Sequence, residues 1–415
     1  MKTLFLPLLL LAAVSLGLAG CADSDANPAS PADKAAGLRT PDNGRHNAGQ
    51  VVVANRASGT ISVIDARTAE LSGTYELPMA DGDATPEPMY VNHVASHQRV
   101  FVGDRANDRV AVFDARTFDV VGTVPAGQGV FHQWADRQGD RLWVNNDIDN
   151  TITVIDTGSL TVVATVAVPA DLVAMGGKPH DIILDHRGRW AFLTVLGIDG
   201  PDDYLVQFDA GTYAELNRQP VGKDPHVSIG VNTDLYVPCQ NSDQVLVFDP
   251  ESLALLDEIM VPGAHGAAMS GNGKFFYTTN LPGGGAGALY TIGTRRNAVA
   301  GGPVDTPYPV PHNLAVTPSG KTLFVTHSGG TADRVTVYDT VGNIVRPVCA
   351  GRRRPSASIR SASATSAAAP ALRRAGARLA RAAPSPSAAR SAMLSFSQAF
   401  RTADAAPTPA GSRVQ

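Results

Sequence analysis

Cysteine is scarce: three residues in 415 are too few for a disulfide scaffold, and no C-x-x-C-H run offers an attachment point for c-type haem. Charged residues reach only 17%, too few for a wholly disordered chain, while 44% hydrophobic residues suffice for a core. No apolar run is long enough to span a membrane comfortably. Also missing are a Gly-x-Ser-x-Gly elbow, a His-Glu-x-x-His helix and a carboxylate pair, so hydrolase chemistry has no support in the sequence. Gly283-Gly284-Gly285-Ala286-Gly287 follows a strand pattern but opens no helix, so it is not a phosphate-binding loop.

What is present is unevenly distributed. The net charge of −4 conceals a basic tail, residues 350–415, with 11 Arg, no Lys and the single acid Asp404. The other 349 residues carry 23 basic and 37 acidic groups, net −14. An acidic body argues against nucleic acid as a partner, because phosphate binding needs a basic groove. Forty Gly and 29 Pro point to many turns, as in a β fold.

Residues 1–21 read as an export signal: Lys2, an apolar run over 4–18, then Leu18-Ala19-Gly20-Cys21. The last four residues look like a bacterial lipobox, in which Cys21 is lipidated and becomes the new N-terminus. Polar residues 22–48 then read as a flexible tether. The expected location is the cell envelope, the protein being held by its lipid on the periplasmic face of a membrane or at the cell surface. Besides that membrane, the expected partner is an envelope protein, and the expected state is a monomer.

From Val51 onward a pattern recurs: an apolar strand, a polar turn, a β-branched strand closing on Asp, a short turn and a Val-rich strand. The closing positions are Asp65, Asp114, Asp156, Asp209, Asp249 and Asp339, with Gly293 in the matching slot between the last two. Their spacings are 49, 42, 53, 40, 44 and 46 residues. Seven four-stranded units of this length, over 49–349, predict an all-β, seven-bladed β-propeller of antiparallel blades. Each Asp is expected to accept backbone hydrogen bonds in the turn after it, a structural role. Trp134 and Trp143 are expected in the core between blades.

The segments Val51-Val52-Val53-Ala54-Asn55 with Thr60-Ile61-Ser62-Val63-Ile64-Asp65, and Pro311-His312-Asn313-Leu314-Ala315-Val316-Thr317-Pro318-Ser319-Gly320, resemble YVTN-type (YncE-like) propeller repeats. By architecture this group is similar to the haem d1 domain of cytochrome cd1 nitrite reductase and to the propeller of nitrous-oxide reductase. The first repeat begins directly at strand B, so blade 1 is expected to lack its inner strand A, or to borrow it. The tail has Ala at 21 of 66 positions and no period-2 alternation. It reads either as a disordered basic tail or as the product of a shifted reading frame that replaced the closing strand.

Five of the ten histidines, His132, His180, His226, His265 and His312, stand at the start of strand A, about equally far from the A–B turn. In repeat two Tyr90 holds that register. Strand A lines a propeller's channel, so these imidazoles are expected together at its mouth. Counting back from the turns places His312 opposite His327 and His226 opposite Cys239, close enough to share one ion. Imidazole and thiolate suit copper or zinc far better than calcium or magnesium. The resemblance to nitrous-oxide reductase implies that a ring of propeller histidines can hold copper.

The first functional reading is therefore a metal-binding or redox accessory protein, with copper before zinc, rather than an enzyme in its own right. The bland alternative is that repeat duplication copied a polar strand-start residue that bonds to loop carbonyls, leaving a protein- or ligand-binding scaffold. Cys239 alone is more often a buried small hydrophobe. A haem d1-like cofactor is a further alternative, but few Arg or Lys mark the mouth. Residues 197–203, an extended B–C loop on the same face, could form a lid.

Overall fold

The computed structural model describes residues 49–281, 287–328, 334–341, 344–347 and 394–396. Seven four-stranded antiparallel sheets surround a central channel. Blade 3 shows the plan: strand A is Val130–Ala135, B is Arg141–Asn146, C is Thr151–Asp156 and D is Thr161–Ala167. The other inner strands are Pro88–Val94, Lys178–Leu184, Ser228–Ile229, Ala264–Met269 and Pro311–Val316, for blades 2 and 4 to 7. No helix among the described residues is long and apolar enough to cross a membrane.

Blade 1 has three strands of its own, Gln50–Asn55, Thr60–Asp65 and Leu71–Glu76, as its repeat predicts. Its inner edge is taken by Leu394–Phe396, which pairs antiparallel with Gln50–Asn55 and sets Leu394 opposite Asn55. The tail thus contributes one short strand, in the slot of the missing strand A. The rest of the tail, residues 1–48 with Cys21, Cys349, and residues 282–286 of the glycine loop lie outside the described residues.

The aspartates that close strand C work as the sequence implies. Oδ1 of Asp156 accepts the N–H of Gly158 (3.1 Å) and Ser159 (2.8 Å), and the Leu160 N–H returns to the Asp156 carbonyl (2.9 Å). Asp65, Asp114, Asp209 and Asp249 repeat the arrangement. The residue four places on takes a positive φ, 60° at Phe118 and 58° at Leu160. For a bulky residue that conformation is strained, and the Asp-capped turn holds it.

Blades adhere through apolar faces. Val52, Ala54, Ile61 and Val63 of blade 1 pack with Val91, Val100, Val102 and Phe113 of blade 2. Trp143 is buried in the cluster between blades 3 and 4, and Trp134 packs against its edge. Burying each aliphatic side chain is worth about 1.5–3 kcal/mol, so these faces fix where the strand A starts point.

Candidate functional site

Strand A makes one pair with strand B, or two in blade 4, and then slips. Pro88 pairs with Asp104 before Val91 pairs with Val102, and the same interruption follows Val130, Pro179, Ala264 and Pro311. In each of these five blades two residues of strand A face one of strand B, a β-bulge. Blade 5 joins Pro225 to Cys239 and then Ser228 to Tyr236, two facing two. Between the two flanking pairs, each of blades 2 to 7 places two residues of strand A. The first of these positions holds Met89, Phe131, His180, His226, His265 and His312; the second holds Tyr90, His132, Asp181, Val227, Gly266 and Asn313.

Local sequence supports this geometry. Pro stands just before the first position in blades 2, 4, 5 and 7, where a strand start tolerates a residue without N–H. Strand B threonines satisfy the amides that the slip frees: Thr194 accepts the N–H of Asp181 (2.8 Å), Thr279 that of Gly266 (2.8 Å) and Thr326 that of Asn313 (3.1 Å). Links to the next blade follow, from Asn145 Nδ2 to the His180 carbonyl (2.7 Å) and from Thr279 Oγ1 to the His312 carbonyl (2.6 Å). A Cβ on Gly266 would collide with the His312 carbonyl, so glycine is required there.

The result is a ring of buried side chains. Centroid separations run 3.5 Å for Tyr90–His132, 4.8 Å for His132–His180, 4.6 Å for His180–His226, 3.8 Å for His226–His265 and 4.5 Å for His265–His312. Asn313 Nδ2 donates to the Tyr90 hydroxyl (3.3 Å) and joins the two ends. Asp181 sits among the imidazoles, with Oδ1 2.6 Å from His132 Nδ1 and 3.7 Å from His180 Nδ1, and Oδ2 3.4 Å from His226 Nδ1. The 2.6 Å approach is close, but Oδ1 has no aligned hydrogen bond.

Burial decides the charges. It pushes His132 down to about 3 despite the pull of Asp181, and His312 to about 3; His180 and His265 are lowered too. At His226 burial is outweighed by the Asp181 carboxylate, which raises it. Asp181 itself resists desolvation because His132 and His226 hold it well below the ordinary carboxylate range. Most of the ring is therefore neutral imidazole, the form with a free lone pair. Among the described residues, His132 with His180 and Asp181, and His180 with Asp224 and His226, have ligand atoms within 4.8 Å of one another.

From the ring a channel of about 570 Å³ opens toward the A–B turns, with Tyr90, His132, Asp181 and His226 at its inner end. Against the sequence reading, His132 is one position further along its strand than the other four histidines. The ring gathers all five because His132, from the second position of blade 3, still lies between Tyr90 and His180.

His327 and Cys239 are not gathered in. Both end strand B, in the slot that Asn55, Asp104, Asn146 and Asn280 fill in other blades. In blade 7 the slip makes Pro311, not His312, the partner of His327; in blade 5 the regular register pairs Cys239 with Pro225, not His226. The nitrogens of His327 lie 3.2 Å from the Pro309 carbonyl and 2.7 Å from Thr336 Oγ1. Cys239 packs among Val221, Val237 and Leu246, and burial pushes its thiol up to about 12. The 197–203 loop is pinned, since Lys223 Nζ binds both the Ile198 carbonyl and Asp203 Oδ1 (2.8 Å each). Asp181, directly after His180, is not visible from the histidine register, because no other blade repeats a carboxylate at that position.

Known proteins extend the picture. By fold the chain is similar to hydrazine synthase of Kuenenia stuttgartiensis, with a TM-score of 0.52 and 18% identity over 63% of this chain and 80% of that one. A functionally unknown protein from Desulfotomaculum acetoxidans gives a TM-score of 0.57 and 11% identity over 73% and 95%. Dihydro-haem d1 dehydrogenase NirN, in complex with DHE, gives 0.51 and 14% over 75% and 64%. At these identities the likeness is one of fold. No curated protein matches the sequence. Residues 39–258, just over half of the chain, match the family described as "Lactonase, 7-bladed beta-propeller". With seven four-stranded blades in place, the chain belongs to this seven-bladed propeller family.

Proposed function

We propose that the histidine ring binds a transition metal, copper before zinc, and that the protein is a metal-binding or redox accessory protein of the cell envelope. One observation carries the reading. His132 Nε2, His226 Nε2, His265 Nε2 and both nitrogens of His312 are buried with no hydrogen-bond partner. Each unmet buried polar atom costs about 1–3 kcal/mol, and neutral imidazoles supply lone pairs that a cation can use. Nitrogen donors with one nearby carboxylate suit copper and zinc, and copper(II) binds such sets more tightly. Stoichiometric metal in the purified full chain, measured by elemental analysis, is the expected result; a metal-free protein that takes up neither copper nor zinc on titration would sink the reading.

The lipobox at Cys21 supports anchoring in the envelope, where a monomer would meet the protein that donates or receives its metal. Two other readings have narrower support. The His132–Asp181 contact could serve water activation, in keeping with the family's lactonase label, and a panel of lactones would reveal it. A tetrapyrrole is less favoured, because Arg56, Arg105 and Lys223 are already paired with Glu87, Asp147 and Asp203. A visible absorption band after incubation with haem would restore that reading.

A further inference from the structure

We propose that Asp181 is not a metal ligand but the positioning residue that sets which nitrogen the ring presents, an inference that rests on the metal-binding reading above. Its closeness to His132 and His180 makes it look like a third ligand. The oxygens that face each Nδ1 argue otherwise. Carboxylate and carbonyl oxygens only accept, so an imidazole nitrogen facing one must carry the proton. Nδ1 of His132 faces Asp181 Oδ1 (2.6 Å), and Nδ1 of His226 faces Asp181 Oδ2 (3.4 Å). Nδ1 of His180 faces the Pro225 carbonyl (3.3 Å) and Nδ1 of His265 faces Gln240 Oε1 (2.7 Å).

Gln240 is oriented without ambiguity, because its Nε2 donates to the Leu281 carbonyl (3.2 Å). On four successive blades Nδ1 therefore faces an acceptor oxygen, through a hydrogen bond at His180 and His265 and through a close carboxylate contact at His132 and His226, which places the proton on Nδ1 and leaves Nε2 of each neutral ring as the lone pair. Three of those Nε2 atoms, on His132, His226 and His265, are the buried unpartnered ones. Asp181 is itself fixed, since Oδ2 also accepts the Val227 N–H (3.0 Å) and its own N–H is held by Thr194. An acceptor behind each ligating imidazole is how metal sites orient their histidines and raise their basicity. One carboxylate serving two imidazoles on blades 3 and 5 leaves little freedom for it to swing inward and coordinate.

The test is Asp181→Asn in the full chain, titrated with cobalt(II) and zinc. Asn keeps the volume but offers one oxygen, so one of the two imidazoles faces an N–H and is driven to the other tautomer. The expected result is a 10- to 100-fold loss of affinity with an unchanged cobalt d–d spectrum at saturation and unchanged circular dichroism. An altered saturated spectrum would make Asp181 a ligand, and an undiminished affinity would remove it from the site; either overturns the proposal. A second measurement needs no metal. Imidazole nitrogen shifts in the metal-free wild type should show His132, His180 and His265 as Nδ1–H, with His132 alone of the three changing in the variant. Nε2–H at His132 in the wild type overturns the proposal even if metal binds. The expected tautomers in a protein that binds no metal would refute the metal reading and leave the orienting role of Asp181 standing.

Discussion

Blades 2 and 3 place Met89 and Phe131 at the first strand A position between the flanking pairs, whereas blades 4 to 7 place histidine there. The backbone slip is the same in blades 2, 3, 4, 6 and 7. On the apolar side Met89, Tyr90 and Phe131 pack together as a small cluster. On the other side four imidazoles stand in a row with Asp181 behind them. The slip frees these side chains from the ladder, so a blade accepts methionine, phenylalanine or histidine without altering its strands. The propeller supplies the convergence, and the residues supply the chemistry.

The strongest way to break this comparison is to make the histidine side apolar. His265→Ala with His312→Ala should abolish stoichiometric copper or zinc while leaving the β-sheet circular dichroism intact. Full metal content in that double variant would show that the ring is structural on both sides.

Phe131→Ala attacks the opposite side. Truncating a buried phenylalanine costs about 3–5 kcal/mol, and Phe131 is only 9% exposed. A clear drop in thermal midpoint is expected, with the metal-to-protein ratio unchanged. Loss of metal without loss of stability would make Phe131 part of the site.

The turn aspartates provide a probe that blades 2 to 5 share. The Asp156 carboxyl is held below its ordinary value by the Ser159 backbone N–H, then by the Ser159 hydroxyl and Arg141; Asp114, Asp209 and Asp249 are lowered in the same way. A carboxyl that ionises more readily when folded stabilises above its unfolded value, about pH 4, and loses that contribution as pH falls toward the folded value. Thermal midpoints should therefore drop below about pH 4, and Asp156→Asn should flatten the slope without touching metal content. A slope identical to wild type would remove the turn from the acid response.

The smallest effect is expected at His327. Its slot holds Asn in blades 1, 3 and 6, so His327→Asn should change stability by less than about 1 kcal/mol and leave metal binding whole. Metal loss in this variant would place His327 in the site after all.

Much of this was legible in the sequence, and the exceptions share a cause. The closing aspartates gave the blade count and the turn chemistry, because a turn residue acts on amides two and three places along the chain. The five histidines were visible as strand A starts for the same local reason. The pairing of His312 with His327 fails because counting back from a turn assumes an uninterrupted ladder, and that of His226 with Cys239 because the blade 5 hairpin is centred on Asn232 rather than between Asn232 and Thr233. A single unmatched residue moves the cross-strand partner from His312 to Pro311.

By itself, then, the sequence determined the repeat, the seven blades, the capped turns and which residue types reach the inner strands, all properties of segments a few residues long. Only the tertiary structure decided which side chains meet. It brought His132 and His226 from blades 3 and 5 onto the one carboxylate of Asp181 on blade 4. It turned His327 toward Thr336 and Cys239 into the core, and it set Leu394–Phe396 against the open edge of blade 1. Convergence on an axis depends on how seven sheets close into a circle, and no local pattern encodes a distance across that circle.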